Sequence, residues 1–145
     1  MLICGAHAYT PGRDLGVVSV RTDGGRIAEI GPSLARVAGE EVLPADGLTL
    51  LPGFVDVPYD PGAVVSNVAG SVALYPQCVR RFARVTGWPL EDVVKATGYN
   101  QLRSLGIADR GEIAVGQVAD LVLVDGNLNP RATVVGGCTL FREGC

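Results

Sequence analysis

Histidine and charged side chains, on which many active sites depend, are scarce in this sequence. Its 145 residues contain one histidine, His7, and only 19% of them are charged, against about 25% in an average soluble domain. No stretch approaches the roughly 18 continuous apolar residues of a membrane span. The largest basic cluster is Arg80, Arg81 and Arg84, which we interpret as a solvated helix face. We therefore expect neither a membrane nor a nucleic acid as a partner.

Cysteine is too sparse and too scattered to indicate a metal site or a disulfide framework. Cys4, Cys78, Cys138 and Cys145 share no metal-ligand spacing. No basic region precedes the short apolar N-terminus, so we expect no secretory signal. There is also no glycine-rich phosphate loop followed by lysine, and no Gly-x-Ser-x-Gly motif. The sequence predicts reduced thiols in a cytoplasmic protein, with no cofactor.

Glycine, in contrast, is abundant: the chain has 20, about twice the usual share of about 7%. Many glycines between short apolar segments indicate a turn-rich sandwich of short strands. Asp23-Gly24 and Gly136-Gly137 are typical of two-residue hairpin turns. Ile27 and Ile30 fall on opposite faces of an ideal strand, so either both faces are covered or a bulge intervenes. The predicted strands are residues 2–9, 15–21, 26–30, 40–43, 48–51, 54–57, 133–135 and 138–141.

The segment 111–125, GEIAVGQVADLVLVD, is the most informative stretch. Its uninterrupted apolar run, residues 121–124, predicts a strand buried on both faces, because a half-exposed strand would alternate. Gly111 and Gly116 provide the backbone freedom that tight turns need.

Between residues 58 and 106 the apolar spacing changes from that of strands to that of helices. Pro76 and Pro89 suit the first turns of two helices, Gly87 ends the first, and Asn100 is a candidate cap for a last turn that Gly106 ends. We predict a Glu91–Lys95 pair on the second helix. The residues predicted to face inward are Cys78, Val79, Phe82, Ala83 and Val85 in the first helix, and Leu90, Val93 and Val94 in the second.

Three stretches resemble, in the right order, segments of the amidohydrolase superfamily, most closely the N-acetylglucosamine-6-phosphate deacetylases. They are Asp-Gly-Gly-Arg-Ile in residues 23–32, Leu-Pro-Gly-Phe-Val-Asp-Val in residues 51–57, and the segment 111–125, which fits G-x-I-x-x-G-x-x-A-D-L-V-x-x-D. Residues 70–106 resemble the last helices before the closing strands of that family.

The resemblance implies a fold. In that family the N- and C-terminal strands form one small sandwich, and a (β/α)8 barrel is inserted between them. Such a barrel takes about 250 residues, and roughly 200 at the least, so it does not fit here. We predict a mainly β, α+β chain: the composite β-sandwich domain of metal-dependent hydrolases with a short helical insertion. A single domain, residues 1–145, would comprise N-terminal strands (1–57), a loop and helical remnant (58–106) and C-terminal strands (107–145).

The same resemblance shows what chemistry is missing. The family activates water with a metal held by histidines and carboxylates, and its His-x-His motif would fall on Pro58, Tyr59 and Asp60. We interpret His7 as a sandwich or edge residue and Asp56 as a partner of local backbone N–H groups. The sequence therefore predicts no catalytic and no metal-binding residues.

Three functions remain open. The first is a non-catalytic structural or interaction protein that forms homo-oligomers. The second is one piece of a split deacetylase, completed by a separate barrel chain. The third, and weakest, is a binding module for a phosphorylated amino sugar. For self-association we predict a surface that the barrel would have covered, formed by Phe54, Val55, Val57, Phe82 and Trp88.

Overall fold

Strands dominate the part of the chain that the computed structural model describes, residues 1–55 and 75–143. Two helical regions follow β5: α1, and a continuous helix made of α2, a π turn and α3. The strands are β1 Leu2–Thr10, β2 Arg13–Asp23, β3 Arg26–Gly31, β4 Val42–Pro44, β5 Thr49–Pro52, β6 Leu121–Val124, β7 Pro130–Val135 and β8 Cys138–Arg142. The helical elements are α1 Tyr75–Thr86, α2 Leu90–Val94, the π turn Lys95–Tyr99 and α3 Asn100–Ser104.

The described strands form one mixed sheet in the order β3-β2-β1-β5-β6-β7-β8, with β4 paired to β1. β1 runs parallel to β4 and β5, and the other pairs are antiparallel. Thr49 of β5 is opposite His7 on one side and Val124 on the other. The N-terminal and C-terminal strands therefore share one sheet, which confirms the predicted composite, mainly β domain.

The sheet curls until its two ends meet. Arg26 in β3 forms an isolated antiparallel bridge with Val118, and the Ala119 N–H donates to the carbonyl of Gly25. Ala119 in turn accepts a hydrogen bond from the N–H of Gly137, in the turn between β7 and β8. A curled sheet encloses its own core, as a closed two-layer sandwich does. The enclosed residues include Ile3, Val20, Ile27, Leu50, Ile113, Leu121, Leu123 and Val134.

The irregularity predicted for the third strand is a β-bulge. Arg21 pairs with Glu29 and Thr22 with Ile27, which leaves Ala28 as the extra residue. Ile27 is fully buried and Ile30 packs partly against the same core. The bulge thus lets two residues of odd spacing contact one core.

The helical predictions were partly wrong. Val79 of α1 is buried, but Cys78 and Val85 are exposed, because α1 contributes only a narrow stripe to the core. Lys95 pairs with Asp92 at 2.8 Å and not with Glu91, since the π turn that starts at Lys95 breaks the regular α-helical spacing. Asn100 lies inside the continuous helix with φ of −63°, so it caps nothing.

The outer face of β5 and β6 carries a second, smaller core. Leu51, Val122 and Val124 pack there against Val94 of α2. Residues 54–57 were predicted as a strand, and this was wrong for the part that the structure describes: Phe54 and Val55 follow β5 without strand pairing. Asp56 and Val57, together with the predicted boundary at residues 57–58, lie outside the described residues.

Candidate functional site

An apolar groove of about 370 Å³ opens where the chain leaves β5. It lies on the outer face of β6 and β7, between the first turn of α1 and the helix α3. We call it the β5 groove and define it by six of its lining residues, Phe54, Val55, Pro76, Leu102, Val122 and Val135. Its volume is within the range of about 300–1,000 Å³ that is usual for ligand pockets.

The π turn fixes one wall of the β5 groove. The N–H of Val55 donates to the carbonyl oxygen of Thr97 at 2.9 Å. Gly98 lets the two backbones approach, because a Cβ at that position would lie 2.9 Å from the carbonyl oxygen of Gly53. π turns inside helices are rare and often occur at functional sites. Here the turn holds residues 53–55 against the helix, so the groove is bounded by backbone as well as by side chains.

An ion pair lies at the edge of the β5 groove. Nη1 of Arg110 is 2.9 Å from Oδ2 of Asp120, and Oδ1 of Asp120 accepts the N–H of Gly136 at 2.8 Å. The backbone carbonyl of Asp120 accepts the N–H of Gly53 at 2.8 Å. Both carboxylate oxygens are therefore engaged in structural contacts. The site is suited to binding an apolar group and provides no activated nucleophile.

His7 lies away from the groove, in β1. Its Nε2 is 2.7 Å from Oδ1 of Asp14, and its ring stacks on that of Tyr9 with centroids 4.7 Å apart. The N–H of Gly16 and the His7 ring hold the pKa of Asp14 below its ordinary value. His7 pairs with Thr49, four residues before the groove begins at Gly53, which is about 13 Å along an extended strand.

The residues present do not fit the metal centre that the resemblance implies. Within residues 1–55 and 75–143, no group of three or more histidine, cysteine, aspartate or glutamate side chains could hold a metal ion. Asp56, Pro58, Tyr59 and Asp60 lie outside the described residues. No catalytic step through a metal is derived from this chain.

The structure places the predicted self-association residues in two pairs. Phe54 and Val55 line the β5 groove. Phe82 and Trp88 contact each other edge to face, with ring centroids 5.4 Å apart, at the C-terminal end of α1. Val57 lies outside the described residues.

Three groove residues were missed from the sequence: Leu102, Val122 and Val135. Leu102 was assigned to a short helical turn and Val122 to a buried strand, both correctly. Their convergence depends on the π turn, for which the sequence offered only one signal, a glycine inside a helical pattern.

Several known proteins are similar to this chain, although no family model matches it. The N-acetylglucosamine-6-phosphate deacetylase of Caenorhabditis elegans is 36% identical over 77 residues, which cover 52% of this chain and 18% of the enzyme. The Bos taurus deacetylase is 32% identical over 100 residues, 68% of this chain and 22% of the enzyme. The chain thus spans about a fifth of the length of the curated relatives it matches.

Solved structures agree with these relatives. The Thermotoga maritima N-acetylglucosamine-6-phosphate deacetylase matches 92% of this chain and 28% of its own, with 26% identity and a TM-score of 0.51. A beta-aspartyl dipeptidase from Fervidobacterium islandicum matches 99% of this chain and 97% of its own with a TM-score of 0.73, but at 11% identity it shows the fold alone. Sequence identity and fold together identify this chain as an N-acetylglucosamine-6-phosphate deacetylase-like member of the amidohydrolase superfamily.

Proposed function

We propose that this chain is a non-catalytic structural or interaction domain, a pseudoenzyme that keeps the composite β-domain of the deacetylases and associates through apolar surface. Its partner is a second copy of the same chain. The proposal concerns these 145 residues, which lack the family's metal ligands.

The observation that carries the proposal is the position of the single histidine. His7 is bound to Asp14 and stacked on Tyr9 in β1, where it serves the β1–β2 hairpin. The carboxylates that flank β6 also have structural partners: Asp120 pairs with Arg110, and Asp125 with Arg131 at 2.8 Å. A metal-activated water needs several histidine and carboxylate ligands converging on one ion, and this donor set cannot supply them.

Apolar surface supports the second half of the proposal. Trp88 is 52% exposed and Val85 is 79% exposed, on a chain with few charges. Tryptophan at a surface is enriched among the residues that dominate protein–protein binding energy. The β5 groove is an apolar recess of the size that receives one such side chain.

The alternative is one piece of a split deacetylase. It is favoured by the hydrogen bond between Val55 and Thr97, which keeps residues 53–55 ordered against the helix at the point where the family's chain enters its barrel. A barrel-carrying partner would then cover the β5 groove and contribute the missing metal ligands.

Deacetylation of N-acetylglucosamine 6-phosphate tests the proposal, with the full-length Caenorhabditis elegans relative as positive control. We expect the purified chain to contain no stoichiometric metal by elemental analysis and to release no acetate when zinc or iron is added. One tightly bound metal ion per chain, with turnover that chelation abolishes, would refute it. Turnover that arises only after addition of a separate barrel chain carrying His-x-His would establish the split enzyme instead.

A cytoplasmic location is part of the same proposal. Among the described residues, no helix is long and apolar enough to cross a membrane. Cys4 and Cys138 are free thiols, a state that a reducing compartment favours. Fractionation with an antibody against the chain tests the location, and recovery in a membrane pellet would contradict it.

A further inference from the structure

The exposed indole of Trp88 is held in a fixed position. Phe82 contacts its ring edge to face at an interplanar angle of 82°. The N–H of Trp88 donates to Oγ1 of Thr86 at 3.2 Å, and Gly87 before it has a positive φ of 64°. An aromatic side chain that is pre-positioned in this way loses little conformational entropy when it binds.

The β5 groove complements this side chain. Leu102 and Val122 are buried at its floor, and Val135 is 46% exposed at its rim. A rigid aromatic group that enters an apolar pocket is the usual form of an interface hot spot.

The indole and the groove lie at opposite ends of one helix. Pro76, at the start of α1, lines the groove, and Trp88 follows the end of α1 by two residues. The 12 residues of α1 span about 18 Å. Two copies of α1 packed antiparallel across a two-fold axis therefore place each Trp88 beside the Pro76 of the other copy. A two-fold interface requires such a self-complementary arrangement.

We propose that two copies of this chain form a two-fold dimer in which Trp88 of each copy occupies the β5 groove of the other. This inference rests on the proposed interaction function, and it adds the partner's binding residues and the symmetry of the interface.

The charge on α1 gives the dimer an identifiable salt dependence. Arg81 and Arg84 are exposed on α1, and an antiparallel pair of these helices brings the arginines of both copies together. Their repulsion opposes association and is screened by salt. We therefore expect the dimer to tighten when sodium chloride is raised from about 0.05 M to about 0.5 M, the opposite of an interface held by ion pairs.

Trp88 is the only tryptophan in the chain, so its fluorescence reports directly on the interface. We expect its emission to shift to shorter wavelength and its quenching by acrylamide to fall as protein concentration rises. Over the same range, light scattering coupled to size exclusion should show the mass rising to twice 15.0 kDa.

Two variants and one control separate this interface from others. Val135→Lys places a charge at the groove rim and leaves Trp88 as the reporter, and Trp88→Ala removes the indole. Each should weaken dimerisation about 30-fold, the loss expected of a hot spot worth about 2 kcal/mol. Val115→Lys is the matched control, because Val115 is 65% exposed and does not line the groove. Circular dichroism verifies that each variant is folded.

Two outcomes would overturn the inference. If the chain dimerises while Trp88 emission stays constant and Val135→Lys dimerises normally, the interface lies elsewhere, yet the proposed interaction function stands. If the chain stays at 15.0 kDa across micromolar concentrations, this dimer does not exist, and the deacetylase assay then decides the proposed function separately.

Discussion

Replacement of Gly98 by alanine tests how residues 53–55 are held against the π turn. A Cβ at Gly98 would lie 2.9 Å from the carbonyl oxygen of Gly53, 3.6 Å from the backbone nitrogen of Val55 and 3.8 Å from its Cγ2. Gly98 is not among the glycines with positive φ. Alanine could therefore adopt its backbone conformation, and the clash is purely steric.

The size of the effect follows from three contributions. Forcing an extra methyl group into a packed contact costs about 1–3 kcal/mol. If the backbones separate, the hydrogen bond between Val55 and Thr97 is lost, at about 1 kcal/mol. The helix preference of alanine over glycine returns about 1 kcal/mol. We expect Gly98→Ala to lower the free energy of unfolding by about 1–3 kcal/mol.

Urea denaturation followed by circular dichroism measures this change. The control is Gly126→Ala, because Gly126 has no neighbour within 4 Å and is likewise not among the positive-φ glycines. The control should stay within about 0.5 kcal/mol of the parent chain. If Gly98→Ala is as stable as the parent chain or more so, helix preference outweighs the contact, and the close approach described for residues 53–55 is wrong.

Two further changes probe the acidic residues that flank β6. Asp120→Ala leaves the N–H of Gly136 without its acceptor and should lower the free energy of unfolding by about 1–3 kcal/mol; in the same urea titration the exposed pair partner Asp109→Ala should change it by less than about 1 kcal/mol, and equal losses would contradict this. The backbone and side-chain amides of Asn129 lower the pKa of Asp125 below its ordinary value. Because the folded-state pKa is the lower one, this carboxylate stabilises the fold fully above about pH 4 and less as the pH falls below it. Asp125→Asn should flatten the decline in melting temperature between about pH 5 and pH 3, and parallel profiles for variant and parent would disprove the linkage.

Local patterns in the sequence predicted the features that depend on neighbouring residues. Four consecutive apolar residues predicted β6, which is buried along its whole length. Asp23-Gly24 and Gly136-Gly137 predicted their hairpins, and the three glycines have the positive φ values that such turns need. The odd spacing of two isoleucines in β3 predicted a bulge or covered faces, and a bulge is present. In each case the signal lies within a few residues of the feature.

Features that depend on distant parts of the chain escaped the sequence patterns. Asn100 has the composition of a helix cap but lies within a continuous helix, because the preceding π turn leaves no helix start to cap. Val85 belongs to an apolar helical stripe but is exposed, because only a narrow part of α1 meets the core.

The sequence by itself determined the mainly β character, the hairpins, the buried central strand and the shortage of metal ligands, because each follows from residue type and short-range spacing. The tertiary structure alone decided that β5 joins β1 to β6, that the sheet curls until Gly25 and Ala119 meet, and that Leu102 and Val122 line one groove. Those contacts join residues far apart in sequence, and their free energy depends on a packing geometry that periodicity does not encode.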